Sequence, residues 1–228
     1  MEDEVLESAI NQMVDEHLET VHSEAPVEID EQGEALLEAA LAAEEVVVPP
    51  NSGSLLVDEA TSRFSGAIWY SAIQSKVITL AGVGGIGSYV GFLLARLKPA
   101  GLYLYDPDIV EQANMSGQLY GSGDLGQAKV SSLHRMLQVY ANYYNSVAYQ
   151  ERFTAESEAT DIMICGFDNM EARKLFFDAW GDRLMSKPEE ERGKMLFIDG
   201  RLAAEEFQVF AIQGNDTRAI REYRSKWL

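Results

Sequence analysis

Residues 76–108 read KVITLAGVGGIGSYVGFLLARLKPAGLYLYDPD, and this stretch decides the fold. It opens with a short apolar run, Val77 to Ala81, of the kind that parallel sheets bury on both faces. A glycine-rich turn follows, and beyond it apolar residues recur at the spacing of one helix face: Val90, Leu93, Leu94 and Leu97. The second apolar run, Leu102 to Tyr105, ends in Asp106. This order of strand, turn, helix and strand predicts a complete mononucleotide-binding unit.

The glycine turn has the spacing G-x-G-x-x-G at Gly82, Gly84 and Gly87, with a further glycine at Gly85. In such a unit, glycines permit a tight turn, let the backbone approach phosphate and bring helix and strand together. The amides at the start of the following helix point toward the same place, which favours an anion there. We therefore expect these four glycines to bind nucleotide phosphates. The alternative is a turn whose glycines serve the structure alone.

Three carboxylates are predicted at the ends of strands. Asp106 occupies the position of a residue that binds a ribose hydroxyl, Asp108 follows two residues later, and Asp168 ends a different apolar run. Their convergence on one crevice, beside phosphate, predicts a divalent cation such as Mg²⁺, which one or two carboxylates usually hold together with phosphate oxygens and water. The structural alternatives are a turn residue for Asp108 and a helix cap for Asp168. Lys129, near the start of a helix, is predicted to reach phosphate unless it is an ordinary solvated lysine.

The negative charge of the chain is concentrated in its first quarter. Residues 1–62 contain 17 acidic and no basic residues, whereas the remainder contains 20 acidic and 18 basic residues. We interpret residues 1–62 as an extension and linker, either amphipathic helices that dock on the body or on a partner, or a disordered acidic arm. Such a leader argues against nucleic acid as a ligand. With no apolar run that could span a bilayer and no basic signal-peptide start, we expect no membrane contact and a cytoplasmic protein.

Beyond residue 108 the pattern continues to alternate between helix and strand. Residues 109–125 are predicted as a loop with short helical turns. Helices are then expected at 126–143, 170–184 and 221–228, and strands at 147–149, 161–166, 195–198 and, of antiparallel type, 206–212. The alternation predicts an α/β fold over residues 63–228, with a doubly wound, mostly parallel, Rossmann-like sheet.

Several motifs together resemble a known family. They are RFSG (63–66), AGVGGIGS (81–88), YDPDIVEQANMSGQLY (105–120), DLGQAK (124–129) and GFDN (166–169). In order and spacing this series resembles the ThiF/MoeB/ubiquitin-activating superfamily, over about residues 63–215. The resemblance implies a crevice for ATP and Mg²⁺, in which the C-terminal carboxylate of a ubiquitin-like protein becomes an acyl-adenylate.

The resemblance also implies a role for each matching residue. The four glycines would line the phosphates, and Asp106, with Asp108 beside it, would hold the nucleotide through its ribose. Four further residues complete the implied site: Asn114 and Gln118, which match the ends of the family's N-x-x-R-Q element, Lys129, its phosphate lysine, and Asp168, its magnesium-side aspartate.

Two arginines of the family pattern are missing here. Gly117 stands at the arginine of N-x-x-R-Q, and Gly66 at the second arginine of R-Y-x-R-Q. Arg63 therefore remains as the implied catalytic arginine, beside Lys129 and Asp168. Either other arginines substitute, or the site binds nucleotide without turning it over. The candidate substitutes are Arg135, Arg173 and Arg201.

The chain has one cysteine, Cys165, which excludes a disulfide framework and a Cys–Cys zinc site. Because it lies on an apolar strand, we expect a buried, inert thiol. The thioester cysteine and CxxC pairs of many superfamily members have no match in this sequence. This leaves open whether the domain at 63–228 is a short form, one half of a split enzyme or incomplete at its C-terminus.

Three functions follow from these patterns. The first is an ATP-dependent, adenylyltransferase-like protein that activates the carboxylate of a ubiquitin-like or sulfur-carrier protein and pairs as a homodimer. The second is a catalytically degenerate nucleotide-binding scaffold, or one half of a split enzyme that acts with a separate C-terminal subunit. An NAD-dependent oxidoreductase is the least favoured, because it accounts for Asp106 but not for Asp108, Gln118 or Asp168.

Overall fold

The computed structural model describes Arg63 and residues 66–203 and 205–228. The predictions for the acidic leader, residues 1–62, lie outside these described residues. None of the helices within the described ranges is long and apolar enough to cross a membrane.

Helices and strands alternate through the described ranges. The helices are α1 (Ile68–Gln74), α2 (Gly87–Arg96), α3 (Lys129–Ala141), α4 (Met170–Ser186), α5 (Glu189–Arg192) and α6 (Thr217–Lys226). The strands are β1 (Val77–Ala81), β2 (Gly101–Tyr105), β3 (Ser146–Tyr149), β4 (Ile162–Cys165), β5 (Leu196–Ala203) and β6 (Glu206–Gln213). Two short 3-10 helices, Gln112–Ser116 and Ser122–Asp124, occupy the predicted loop between β2 and α3.

The six strands form one sheet in the order β3-β2-β1-β4-β5-β6. Neighbouring strands are parallel except for β6, which runs antiparallel to β5. The chain moves outward from β1 to β3 and then returns to place β4 on the other side of β1. The carboxyl ends of β1 and β4 are therefore the switch point of the sheet, where open α/β sheets bind their ligands. The predicted doubly wound, mostly parallel fold is confirmed.

The sheet is buried on both faces because its side chains alternate between two hydrophobic cores. Ile78 and Leu80 of β1 pack with residues of α2 and α3, including Ala95 and Leu133. Ala81 packs on the opposite face, in a core that α4 and α6 supply with large aromatic rings: Phe176, Phe177, Trp180 and Tyr223. The helices thus form one layer on each side of the sheet.

Helix α2 packs on the sheet mainly through small residues, and not through the leucines that the sequence pattern predicted. Leu93 was expected on the apolar face, but its side chain is 62% exposed. Small residues face the sheet instead, among them Gly91 and Ala95. A Cβ at residue 91 would lie 3.0–3.1 Å from the side chains of Leu133 and Leu80. Helical spacing alone does not distinguish a leucine face from a face of small residues that permits close packing.

The start of α3 also differs from the prediction. The helix was expected from Gly126, but it begins at Lys129. Gly126 has a left-handed backbone (φ +77°), and Ala128 pairs with Ile109 in an isolated β-bridge. These two features hold the segment extended until the bridge ends, and the amide of Lys129 then donates to the carbonyl of Asp108.

Three glycines meet where β1, β4 and α2 converge. Gly82 has a left-handed backbone (φ +83°), and a Cβ there would lie 2.7 Å from the carbonyl group of Gly166. A Cβ on Gly87 would lie 1.8 Å from the carbonyl oxygen of Gly82. Such distances exclude any side chain at either position without movement of the backbone.

Substitution of Gly87 by alanine should therefore destabilise the fold. We expect the Gly87→Ala variant to lose about 3 kcal/mol or more of the free energy of unfolding, because overpacking here strikes backbone atoms. The matched control is Gly181→Ala, in the interior of α4, where a Cβ meets no atom within 4 Å. The control should gain about 0.5–1 kcal/mol from helix propensity. Urea unfolding followed by circular dichroism measures both, and equal stabilities would contradict the steric assignment.

Candidate functional site

A cavity of about 490 Å³ opens at the carboxyl ends of β1, β2 and β4. Its volume lies within the range of about 300–1,000 Å³ that small-molecule sites occupy. Its walls are formed by the glycine turn, by Gln118, by the residues that follow β2, β3 and β4, and by the N-terminal parts of α3 and α4. The residues in these walls are Gly82, Gly84, Gly85, Tyr105, Asp106, Pro107, Asp108, Gln118, Lys129, Glu151, Arg152, Phe153, Gly166, Phe167, Asp168, Asn169, Glu171, Ala172 and Leu175.

Most of the predicted site residues meet in this cavity. Eight of them lie in its walls: Gly82, Gly84, Gly85, Asp106, Asp108, Gln118, Lys129 and Asp168. Gly87, Asn114 and Arg63 lie outside the walls as described. Gly87 packs against the backbone of the glycine turn, and Arg63 is exposed to solvent.

The glycine turn offers free space and free donors to a ligand. A Cβ on Gly84 would come no closer than 3.8 Å to its nearest neighbour, the side chain of Gln118. One on Gly85 would come no closer than 3.7 Å, to the carbonyl oxygen of Gly117. Within the described residues, the amides of Gly84 and Gly85 have no acceptor. Unlike Gly82 and Gly87, these two glycines are not required by internal packing, and their amides suit an anion at the start of α2.

Asp106 organises the cavity floor through its own hydrogen bonds. Its Oδ2 accepts from the amide of Val83 at 2.8 Å, and its Oδ1 accepts from the amide of Asp108 at 2.9 Å. The side chain is buried, and burial raises the pKa of this carboxyl, although the two amides and Lys129 act in the opposite direction. Asp106 therefore ties the end of β2 to the glycine turn.

Lys129 and Asp108 form an ion pair at the cavity wall. The Nζ of Lys129 lies 3.0 Å from Oδ2 of Asp108. The lysine side chain is only 8% exposed, whereas the aspartate side chain is 61% exposed. Lys129 is therefore not the solvated lysine of the structural alternative, and its ammonium group is held beside the cavity.

Gln118 and Asn114 are placed differently although both belong to the same predicted element. The Oε1 of Gln118 is buried and has no hydrogen-bond partner among the described residues. Because a buried polar atom without a partner is costly, this orphaned acceptor at the cavity wall is suited to a ligand donor. The Oδ1 of Asn114 instead accepts from the amide of Glu111 at 2.9 Å, which stabilises the 3-10 turn before Gln118.

Asp168 does not cap the helix that follows it. The cap of α4 is Asn169, whose Oδ1 accepts from the amide of Ala172 at 2.8 Å. Asp168 is exposed at the cavity and makes no hydrogen bond or ion pair within the described residues. Its carboxylate is therefore available to a ligand or a cation.

The three carboxylates converge on one cavity, as expected, but they do not by themselves form a metal site. Asp106, Asp108 and Asp168 share the cavity, but in the described part of the chain no three His, Cys, Asp or Glu side chains are grouped so that they could hold a metal ion. The reason is local: Asp106 is engaged by two amides, and Asp108 is paired with Lys129.

The three arginines considered as substitutes for the missing family arginines form ion pairs away from the cavity. Arg173 is buried and forms an ion pair with Asp199, and Arg201 donates to the same carboxylate at 2.7 Å. Arg135, an exposed residue of α3, pairs with the buried Asp124 of the second 3-10 helix. None of these three arginines lies in the cavity wall.

The cavity contains three charged residues that the sequence did not single out. Glu151 and Arg152 follow β3, and Glu171 belongs to the first turn of α4. They belong to none of the motifs quoted from the sequence. The one signal that could have found Glu151 and Arg152 is their position just after a parallel strand, where such sheets collect their site residues.

Cys165 is the buried thiol that the sequence predicted. Its side chain is fully buried on β4, and burial raises the pKa of the thiol. A protonated, inaccessible thiol is a poor nucleophile, so Cys165 has no catalytic role at this cavity.

Comparison with known proteins places this geometry in a family. A family model described as the ThiF family matches residues 59–220. The chain belongs to the ThiF family. The match includes the glycine turn, both strand ends that carry the aspartates, and the start of α3.

Curated relatives of this ThiF-family chain include ubiquitin-like modifier-activating enzyme 5 of two insects. The protein of Drosophila ananassae is 29% identical over 188 residues, which are 74% of this chain and 47% of that protein. The protein of Culex quinquefasciatus is 31% identical over 121 residues, 46% of this chain and 30% of that protein. The chain thus spans about half the length, or less, of the curated relatives it matches.

Solved structures share the ThiF-family fold. PaaA superposes with a TM-score of 0.58 at 19% identity, covering 93% of this chain and 68% of PaaA. Escherichia coli MccB, solved with ATP, gives a TM-score of 0.50 at 15% identity, covering 70% of this chain and 50% of MccB. Escherichia coli TcdA, a tRNA N6-threonylcarbamoyladenosine dehydratase, gives 0.51 at 19% identity, covering 57% and 58%.

The separate roles of Asp168 and Asn169 can be tested by stability. The Asn169→Ala variant should lose about 1 kcal/mol of the free energy of unfolding, because it removes the cap of α4. The Asp168→Asn variant should differ from wild type by less than about 0.5 kcal/mol, as expected for an exposed side chain without a partner. Chemical denaturation measures both. A cost at residue 168 equal to that at residue 169 would restore the capping interpretation of Asp168.

Proposed function

We propose that the cavity binds ATP together with Mg²⁺ and activates the C-terminal carboxylate of a ubiquitin-like or sulfur-carrier protein. In this reaction a carboxylate oxygen attacks the α-phosphorus of ATP. The bond from that phosphorus to the oxygen that bridges to the β-phosphate breaks, and pyrophosphate leaves. The product is an acyl-adenylate.

The observation that carries this proposal is that the four glycines of the turn fall into two kinds. Gly82 and Gly87 are required by packing, whereas Gly84 and Gly85 leave space and two unused amides at the start of α2. Amides at a helix start bind phosphate, and the ammonium group of Lys129 lies in the wall of the same cavity. Membership of the ThiF family, and the solution of MccB with ATP, support the nucleotide as the anion.

The residues of the cavity have distinct tasks in this proposal. The amides of Gly84 and Gly85 bind phosphate oxygens, and Lys129 stabilises the negative charge that develops on them during attack. Asp106 accepts from a ribose hydroxyl with the acceptor sites that its two amide donors leave free, and the exposed carboxylate of Asp108 lies beside it. The buried Oε1 of Gln118 accepts a hydrogen bond from the bound ligand.

Mg²⁺ fits this site only in the presence of phosphate. The ion is usually held by one or two carboxylates together with substrate phosphates and water, and Asp168 supplies an unengaged carboxylate just after β4. When bound, the ion would neutralise charge on the phosphate oxygens. Asp168 would orient it from the start of α4.

The proposed partner follows from the relatives rather than from this cavity. The curated relatives are named for a ubiquitin-like modifier, which suggests a protein whose C-terminal carboxylate enters the site. A homodimer is proposed on general grounds, since two-fold pairs are the commonest soluble oligomers.

A second candidate function is supported by the small number of positively charged side chains at the cavity. Gly66 and Gly117 replace two arginines of the family pattern, and the three arginines considered as substitutes are engaged elsewhere. A nucleotide-binding scaffold, or a subunit whose missing charge comes from a partner, would have these features. An oxidoreductase that uses NAD receives no such support.

Calorimetry and pyrophosphate exchange distinguish these functions. ATP with Mg²⁺ should bind, and labelled pyrophosphate should exchange into ATP when a carrier protein with a free C-terminus is present. The Asp168→Asn variant should lose exchange by on the order of 100-fold, because it removes the carboxylate for the metal ion. The control Asp182→Asn, an exposed carboxylate on the same helix, should retain it. ATP binding without exchange would favour the scaffold, and binding of NADH but not ATP would favour the oxidoreductase.

Restoring one family arginine should strengthen binding. Gly117 has an ordinary backbone (φ −132°), and a Cβ there meets no atom within 4 Å. Its carbonyl lies beside Gly85, so an arginine side chain at this position starts next to the phosphate-binding amides. The Gly117→Arg variant should bind ATP about tenfold or more tightly, through charge-assisted hydrogen bonds.

The matched control introduces the same side chain at a residue that does not adjoin the glycine turn. At Gly123 a Cβ also meets open space, but Gly123 is not among the nearest neighbours of Gly84 or Gly85, whereas the carbonyl oxygen of Gly117 lies beside Gly85. Gly123→Arg should leave the affinity for ATP unchanged. If both variants bind equally, the gain comes from net charge rather than from a contact, and residue 117 does not face phosphate.

A further inference from the structure

The cavity has few cations for a site that would hold a polyphosphate. Its walls carry five carboxylates, those of Asp106, Asp108, Glu151, Asp168 and Glu171, against two cations, Lys129 and Arg152. Lys129 is partly neutralised by Asp108, 3.0 Å away. Arg152, in contrast, makes no ion pair or hydrogen bond within the described part of the chain. It is therefore the wall cation with its full charge available to a ligand.

The position of Arg152 is fixed by the residue that follows it. Phe153 is buried and packs edge-on against Tyr105, with ring centroids 5.3 Å apart, and against Phe176, 4.8 Å apart. Tyr105 ends β2, and Phe176 belongs to α4. The segment after β3 thus crosses the carboxyl end of the sheet toward α4, and Phe153 anchors it there.

The two wall cations belong to segments that are anchored on different faces of the sheet. Lys129 begins α3, which packs on one face, whereas Phe153, next to Arg152, belongs to the core on the opposite face, with α4. Both cations line the cavity that lies between these segments. Polyphosphates carry charge along their length and are suited to more than one cation.

We propose that Arg152 is a binding residue for the polyphosphate of the nucleotide and supplies positive charge that Gly66 and Gly117 cannot. This inference rests on the proposed function, since it assigns a further residue to the same site. The guanidinium group would donate to phosphate oxygens. Its contribution should therefore depend on the number of phosphates in the ligand and not on the nucleoside.

Binding of a ligand series tests this assignment. Wild type, Arg152→Ala and the control Arg221→Ala, an exposed arginine on α6, would be titrated by calorimetry with ATP, AMP, adenosine and inorganic tripolyphosphate, each with Mg²⁺. For Arg152→Ala we expect the affinity for ATP and tripolyphosphate to fall about 10- to 100-fold, with no change for adenosine. Arg221→Ala should match wild type throughout.

A second variant separates charge from structure. If Arg152 acts through its charge, the conservative variant Arg152→Lys should retain at least part of the affinity that Arg152→Ala loses, because lysine keeps the positive charge at this position. Unchanged ATP binding in Arg152→Ala would overturn the inference, as would an equal loss for adenosine and ATP. Failure of wild type to bind both ATP and tripolyphosphate would overturn the proposed function and this inference with it.

Discussion

The close approach of backbone between Gly82, Gly87 and Gly166 is the constraint on which the rest of the molecule depends. At this point the carboxyl ends of β1 and β4 and the start of α2 come so near that none of the three positions can hold a Cβ without a contact of 2.7 Å or less to backbone. The cavity exists because the chain diverges from this point toward β2 and α3 on one side and β4 and α4 on the other. The site is therefore a consequence of topology and of three missing side chains.

The sequence predicted most of this arrangement because its signals are local. The G-x-G-x-x-G spacing, the aspartates at strand ends and the lysine near a helix start can each be recognised within a short stretch of sequence. Contacts between residues that are distant in the sequence could not be predicted from such short stretches. Leu93 is exposed because the glycine at residue 91 lets α2 approach two leucines that are distant in sequence.

The same limit applies to charge at the candidate site. Nothing near Asp108 in the sequence indicates that it pairs with Lys129, and nothing near Arg173 indicates that its partner is Asp199. The ring of Phe153 sets the place of Arg152, but its two aromatic partners lie on β2 and α4. Pairing across the sheet decides which charges remain available to a ligand, and pairing is a tertiary property.

The buried network around Asp199 illustrates how the chain uses its arginines. Asp199 is fully buried and accepts from Arg173, from Nε of Arg201 at 2.7 Å and from the hydroxyl of Tyr223 at 2.7 Å. Burial lowers the pKa of Arg173, and several hydrogen bonds offset the cost of removing these charges from water. Arg173 also donates to the carbonyl of Phe167. It therefore braces the residue before Asp168 rather than contacting a ligand.

This use of arginine explains why counting basic residues does not predict the charge of the cavity. Arg173 on α4 donates to the carbonyl before Asp168, whereas Arg152 after β3 lines the cavity. A residue count treats these two arginines alike, but only Arg152 is placed to offset charge on a bound phosphate. The glycines of the turn also differ in what requires them. At Gly82 and Gly87, neighbouring backbone atoms of the folded protein exclude a side chain, whereas at Gly84 and Gly85 no neighbouring atom lies close enough to exclude one. A requirement for glycine at these last two positions must therefore come from the ligand, because the protein alone does not impose it.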